Sequence, residues 1–371
     1  MSFTARLQAT AMITLVATGL AVPTPAAGAV APSRPPALPE SGSGPAAFAY
    51  LCANPKDPEK SPTGPCDTWR LVTTQGKIFS VPEAVAWEKG KDPNEDGGSG
   101  SFAISPDGTR VAYHRARDRR IVVRELTSGK SWTIPYQVPT GLGSPFSLKF
   151  VRDGRQLTIS PDSGVDTLVQ VEAGTVRRLP KGWTLLDADP ATGRLTLFKS
   201  PAMQVRGAFR TVEGERKTTA KIAEKAGKHL IWGAFAARNG QAANLVPKDP
   251  PACGPDMTPV WLAVFSTRTG KMTTVKPRLP ADVYQADVID WLNAKEIVAA
   301  ASRERPSKTP NTAVGSYVYA MNVTTGASRL IAKLSTTEEV YRDSLEVGGY
   351  TGAQGQPAAG KVTKPGKHGC D

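Results

Sequence analysis

The chain reads as an all-β protein, a six-bladed β-propeller of four-stranded antiparallel blades whose first blade is closed by the C-terminal strand. Three observations carry that reading. A phrase made of an inner and an outer hairpin recurs at roughly 40–50-residue spacing, the signature of a four-stranded blade. The outer hairpin occurs six times and the inner one only five. The strand lacking at the front of the ring has a counterpart near the other end of the chain.

The outer hairpins fall at residues 69–82, 121–135, 168–180, 208–222, 260–277 and 317–334. Each is a β-branched or aromatic run, a turn and a second run. Their turns are Gln75-Gly76, Ser128-Gly129, Ala173-Gly174, Glu213-Gly214, Thr269-Gly270 and Thr325-Gly326, and a tight hairpin wants glycine there because one residue must accept positive φ. The inner hairpins turn at Asp107-Gly108, Asp153-Gly154, Thr192-Gly193, Asn239-Gly240 and Asn293-Ala294.

Ahead of Trp69 lies only one strand-like run, residues 46–51. The missing innermost strand is expected from residues 341–350, so that both ends of the chain build blade one and two exposed sheet edges disappear. A seventh blade would need a further hairpin pair, and the sequence holds none.

The clearest inner hairpin, residues 102–113, contains Ser105-Pro106-Asp107-Gly108-Thr109-Arg110-Val111-Ala112-Tyr113. This run resembles the WD40-like repeat of TolB-type β-propellers, which also occurs in the propellers of prolyl-oligopeptidase-type enzymes. Residues 150–157 and 291–297 are weaker relatives of it. The resemblance spans about residues 45–350 and implies architecture. No α/β domain stands ahead of the ring and no hydrolase domain behind it, so neither activity is expected to carry over.

Residues 1–29 read as a signal peptide: Arg6 gives a positive start, residues 9–22 are apolar but short for a membrane span, and Ala27-Gly28-Ala29 offers a cleavage site. The competing reading is a retained anchor, which would make the chain a sensory ectodomain. Residues 30–44, rich in Pro, Ser and Gly, read as a spacer, residues 45–350 as the propeller, and 351–371 as a Gly/Pro/Lys-rich tail. After cleavage no stable membrane span is expected, and the address is secreted, extracellular or cell wall. Four cysteines, Cys52, Cys66, Cys253 and Cys370, suit an exported chain with disulfides. We favour Cys52–Cys66, closing a polar Pro-rich loop, and Cys253–Cys370 for the remainder. A zinc site lacks Cys-x-x-Cys spacing.

The formal net charge is +13, or +12 once Arg6 leaves. Outside a cell such a balance favours an anionic cell-wall polymer, phospholipid head groups or an acidic protein, or simply a solvated basic surface. Nucleic acid is not expected, and the chain is expected to be a monomer.

Candidate chemistry is sparse. Asp92, Asn94 and Asp96 with Gly97 form half of a calcium loop, yet position twelve, where a bidentate Glu belongs, is Ala103. Calcium is therefore a weak expectation and no other cofactor is implied. No Gly-x-Ser-x-Gly elbow exists, and the three histidines, His114, His229 and His368, stand at strand ends or in the tail. No catalytic residue is assigned. Along the innermost strands Lys149, Asp187, Asp290 and Glu346 alternate with apolar neighbours and are expected to face the channel mouth. The inner-to-outer connections 52–68, 247–259 and 303–316 are long and belong to adjacent blades, which makes their face a candidate binding surface. The reading that results is an exported binding or scaffold propeller. The alternative is a propeller enzyme such as a calcium-assisted lactonase or lyase.

Overall fold

The computed structural model describes residues 34–52, 66–88, 98–137, 146–161, 164–199, 207–223, 236–247, 258–303, 312–313, 316–334, 340–341, 344–351 and 356–357. They form six four-stranded antiparallel blades arranged as a propeller ring. Blade two is representative: Phe102–Ile104, Arg110–His114, Arg120–Glu125 and Ser131–Gln137 pair in sequence order. Blades three, four and five begin at the innermost strands Phe146–Val151, Thr184–Ala188 and Ala236–Arg238, and blade six at Val283–Trp291. No helix among the described residues is long and apolar enough to cross a membrane.

The repeat's turn explains why the motif at residues 105–110 is so legible. The Asp107 carboxylate accepts the Ser105 hydroxyl at 2.6 Å, the Thr109 amide at 3.0 Å and the Thr109 hydroxyl at 2.9 Å. An acidic side chain that gathers local donors holds the hairpin without help from elsewhere. Gly108 follows at φ 74°, and a Cβ there would sit 2.3 Å from the Ala46 carbonyl oxygen. That close approach is used: the Ala46 amide donates to the Gly108 carbonyl at 2.8 Å, tying blade one to the turn of blade two.

Blade one is made from both ends of the chain, in the order Glu346–Val347, Ala46–Tyr50, Trp69–Thr73, Ile78–Val81. Phe48 pairs with Val347 and Ala49 with Glu346. The C-terminal strand is shorter than the run that suggested it, because the residues before it do other work. Val340 bridges Cys52, and the Tyr341 amide donates to the Leu51 carbonyl at 2.8 Å. Ser344, wholly buried, accepts the Leu51 amide at 2.9 Å and donates to the Tyr341 carbonyl at 2.6 Å. Beyond the strand, Gly349 and Thr351 donate to the Ser105 and Pro106 carbonyls of blade two.

The core is divided by seam. Six apolar clusters fill the molecule, and each joins two neighbouring blades. Strand alternation decides membership. In blade two Val122 faces blade one's Trp69 and Leu71, while Val123 faces blade three's Leu157 and Ile159. In blade four Leu197 packs toward blade three and Phe198 toward blade five. The sixth cluster sets Phe48 and Tyr50 of blade one against Val298 and Val318 of blade six. Full burial of such a side chain stabilises by roughly 1.5–3 kcal/mol.

Both flanks of the ring are also engaged. Within the segment read as a spacer, the Leu38 amide donates to the Ser80 carbonyl at 2.8 Å, Gly42 donates to Thr127 at 3.0 Å, and Leu38 is buried in the seam between blades one and two. Within the tail, Gln356–Pro357 adds a fifth strand to the outer edge of blade six, pairing with Leu330 and Arg329. Residues 1–29 and the long connections between inner and outer hairpins at 53–65, 248–257 and 304–311 lie outside the described residues.

Ser344→Ala leaves the Leu51 amide buried without its acceptor and should lower stability by about 1–3 kcal/mol, read from the midpoint of urea unfolding. An unchanged midpoint would contradict the role given to this hydroxyl in fastening the ring.

Candidate functional site in the central channel

In an antiparallel blade the innermost strand runs from the inter-blade link toward its hairpin turn, so the last residues of these strands collect at one end of the channel. Asp187 is the fourth residue of Thr184–Ala188, Asp290 the penultimate residue of Val283–Trp291, and Arg238 the last of Ala236–Arg238. Arg152 follows directly on Phe146–Val151, and Tyr350 comes just after Glu346–Val347. These side chains therefore meet at the face of the inner-hairpin turns. The described residues that flank the long connections, Cys52, Pro247 and Arg303, stand at or just past the other ends of their strands. Lys149 and Glu346 stand further in.

The acidic residues at this end are already engaged. Asp187, buried, receives the Arg152 guanidinium through two bonds, Nε to Oδ1 and Nη2 to Oδ2, each 2.7 Å. A fork meeting a carboxylate along both edges is the strongest form of this contact. Arg152 also lies 3.4 Å from Asp189, and the Asp187 contact raises the guanidinium's hold on its proton. The geometry has a local cost, since Arg152 adopts φ 46°, a left-handed conformation that a side-chain-bearing residue seldom takes.

Asp290 is held from both sides. Its Oδ1 accepts the Trp291 amide at 2.7 Å and its Oδ2 accepts the Tyr350 hydroxyl at 2.8 Å. Burial pushes the Asp290 carboxyl up, while the Lys149 charge and these two donors pull the other way. Burial, followed by the neighbouring Asp290, pushes Tyr350 well above the usual phenol range, so its proton stays available for that bond. Arg238 donates to the Trp291 carbonyl at 2.7 Å, linking the turns of blades five and six. Burial pushes the Glu346 carboxyl up to about 8, with the Lys149 charge opposing.

Lys149 acts on both Asp290 and Glu346, and the Arg152 that clamps Asp187 also feels the Asp290 charge. Sequence reasoning missed Arg152, Arg238 and Tyr350. A signal was present, because Arg152-Asp153-Gly154 and Arg238-Asn239-Gly240 place arginine ahead of the turn in two inner hairpins.

The other sequence-level candidates divide plainly. Cys52 and Cys66 form a disulfide with Cα atoms 5.1 Å apart. Cys253 and Cys370, and the calcium-loop residues Asp92, Asn94 and Asp96, lie outside the described residues, as do His229 and His368. His114, at the end of blade two's second strand, is buried, with Nδ1 2.7 Å from the carboxylate of Glu88 in the two-stranded sheet that leads into that blade.

No protein-family model matches the chain, and no curated protein matches it. Among solved structures it is similar to a chain of a nidogen/laminin complex at 10% identity, covering 82% of this chain and 99% of that one, TM-score 0.44. It is similar to TolB from Acinetobacter baumannii at 15% identity, covering 81% and 66%, TM-score 0.43. An oligogalacturonate lyase in complex with manganese matches at 12% identity, covering 79% and 74%, TM-score 0.40.

The raised Glu346 fixes a pH dependence. Its carboxyl binds a proton more tightly folded than unfolded, so stability falls as pH climbs from the unfolded value of 4.5 to about 8 and is level above that. Glu346→Gln should flatten this decline and gain up to about 5 kcal/mol at alkaline pH, seen as stability profiles that run parallel below about pH 4.5, diverge between there and about 8, and run parallel again above it. Equal pH profiles for the two proteins would contradict the burial of this carboxyl.

Proposed function

We propose that the chain is an exported binding or scaffold propeller of the TolB-like kind, working at the cell envelope or outside the cell, with a protein or an anionic wall polymer as its partner. One observation carries the preference for binding over catalysis. Asp187 and Asp290 have both carboxylate oxygens committed within the chain, and Glu346 holds its proton near neutral pH. A hard cation such as calcium needs ionised oxygens free to ligate it, and here they serve to brace neighbouring blades. The rim remains as the place for recognition, because loops there lengthen without disturbing the ring.

The Cys52–Cys66 disulfide supports an oxidising compartment, in line with a cleaved segment at 1–29. The resemblance at residues 105–113 supports the TolB-like assignment.

A second reading, an extracellular propeller enzyme such as a calcium-assisted lactonase or lyase, draws on the same channel. Glu346 and Asp290 are pushed up beside Lys149 and the Tyr350 hydroxyl, and paired groups displaced in this way are a common mark of proton-transfer sites.

The purified chain should retain a partner from solubilised envelope material and lose it when the 247–259 connection is shortened, while its melting temperature should not differ between millimolar calcium and chelator. Equal capture by the shortened variant would contradict the binding reading. A calcium-dependent rise in melting temperature abolished by Asp290→Asn would favour the enzyme.

A further inference from the structure

Outside the channel, the seam between blades four and five opens into a cavity of about 320 Å³ at the face of the hairpin turns. Its walls follow from strand register. Across blade four, Phe198 pairs with Phe209 and Phe209 with Ala220, a row that packs into the apolar seam with blade five's Ala242 and Phe265. Two residues nearer the turns, on the same face, the row becomes Thr196, Thr211 and Thr218. Two further on, Glu213 pairs with Arg216, and Arg194 stands beside them. The seam thus passes from rings to hydroxyls to charges. Blade five closes it with Thr267, buried and bonded through its amide to the Gly240 carbonyl at 2.9 Å, and with Arg268.

Three guanidinium groups and four threonines face one carboxylate, Glu213. Arg194 is partly held by Asp189 at 3.8 Å. Among the described residues neither Arg216 nor Arg268 has an ion-pair partner, and both are exposed at the mouth, while Thr196 and Thr267 are buried at the floor. A polar, arginine-lined opening with unspent donors is a site for an anion.

The kind of anion follows from the number of forks. A carboxylate has two oxygens and one charge, and one guanidinium satisfies it. A phosphate monoester presents three terminal oxygens with close to two charges, which matches several planar forks and hydroxyl donors converging from two blades. The volume lies at the small end of the range for ligand pockets and suits the phosphate group with a short substituent.

We propose that the cavity between blades four and five binds a phosphate ester, with Arg216 and Arg268 as the principal forks and the Thr196, Thr211 and Thr218 hydroxyls as its floor and wall. The site stands whether or not the chain works at the envelope; that reading bears only on whether the phosphate belongs to a free small molecule or to a polymer.

Isothermal titration of the purified full chain in physiological salt tests this, with methyl phosphate standing for a free monoester and a glycerol-phosphate oligomer for a polymer. Saturable binding of either probe is expected, and the tighter of the two identifies the source. The double substitution Arg216→Ala/Arg268→Ala should weaken it at least about tenfold, Arg268→Lys by an intermediate factor because the charge remains without the fork, and Thr211→Val measurably. Arg155→Ala, on an exposed arginine of blade three, should leave it unchanged. Failure of both probes to saturate, equal affinity in the double variant, or acetate bound as tightly as methyl phosphate would overturn the proposal.

Discussion

Each strand in the middle of a blade buries side chains on both faces, one set against the preceding blade and one against the following blade. A linear stack of such blades would expose an apolar face at each end, and the chain avoids this only by bringing its last blade against its first. The seam holding Phe48, Tyr50, Val298 and Val318 is where that happens. The pairing of Phe48 with Val347 fastens it, because blade one cannot be completed by the residues next to it in sequence. Closure is therefore the constraint on which the other five seams, the channel and both candidate sites depend.

Closure also explains why the channel is charged yet quiet. Six innermost strands converging on one axis bring their polar faces close together. Carboxylates left facing one another there would repel. The ring answers with cations and donors from the neighbouring blade: Arg152 of blade three on Asp187 of blade four, Arg238 of blade five on the Trp291 carbonyl of blade six, and Tyr350 from the closing segment on Asp290. These contacts tie blade to blade at one end of the channel, as the apolar clusters do along the seams. In the seam of blades four and five the sealing row gives way to threonine and arginine near the turn face.

Much of the architecture was legible because propeller blades write their register locally. The six outer hairpins and their glycine turns are found where β-branched runs and turn residues put them, and the need for a closing strand followed from a count of inner hairpins. The closing strand's length was not legible. Only Glu346–Val347 lies innermost, since Tyr341 and Ser344 are spent on Leu51, a contact separated by nearly the whole chain. The site was half legible for the same reason. Alternation within a strand picks out Lys149, Asp187, Asp290 and Glu346 as polar residues on a channel face. It says nothing about which cation from another blade meets them, so the Arg152 clamp and the Tyr350 hydroxyl stayed hidden. The docking of Leu38 and Gly42 along blades one and two was likewise hidden, because a Pro- and Ser-rich composition carries no record of the edge it lies against.

Native-state amide hydrogen exchange resolved at single residues tests the closed ring most directly. The amides of Leu51, Tyr341 and Gly348 should exchange only with global unfolding, as slowly as those of Leu157 and Val169 in the interior of blade three. If the amides of Tyr341 and Gly348 instead exchange at the rate of an unstructured chain while blade three stays protected, the two ends are not joined, and the account of seams, channel and cavity fails with them.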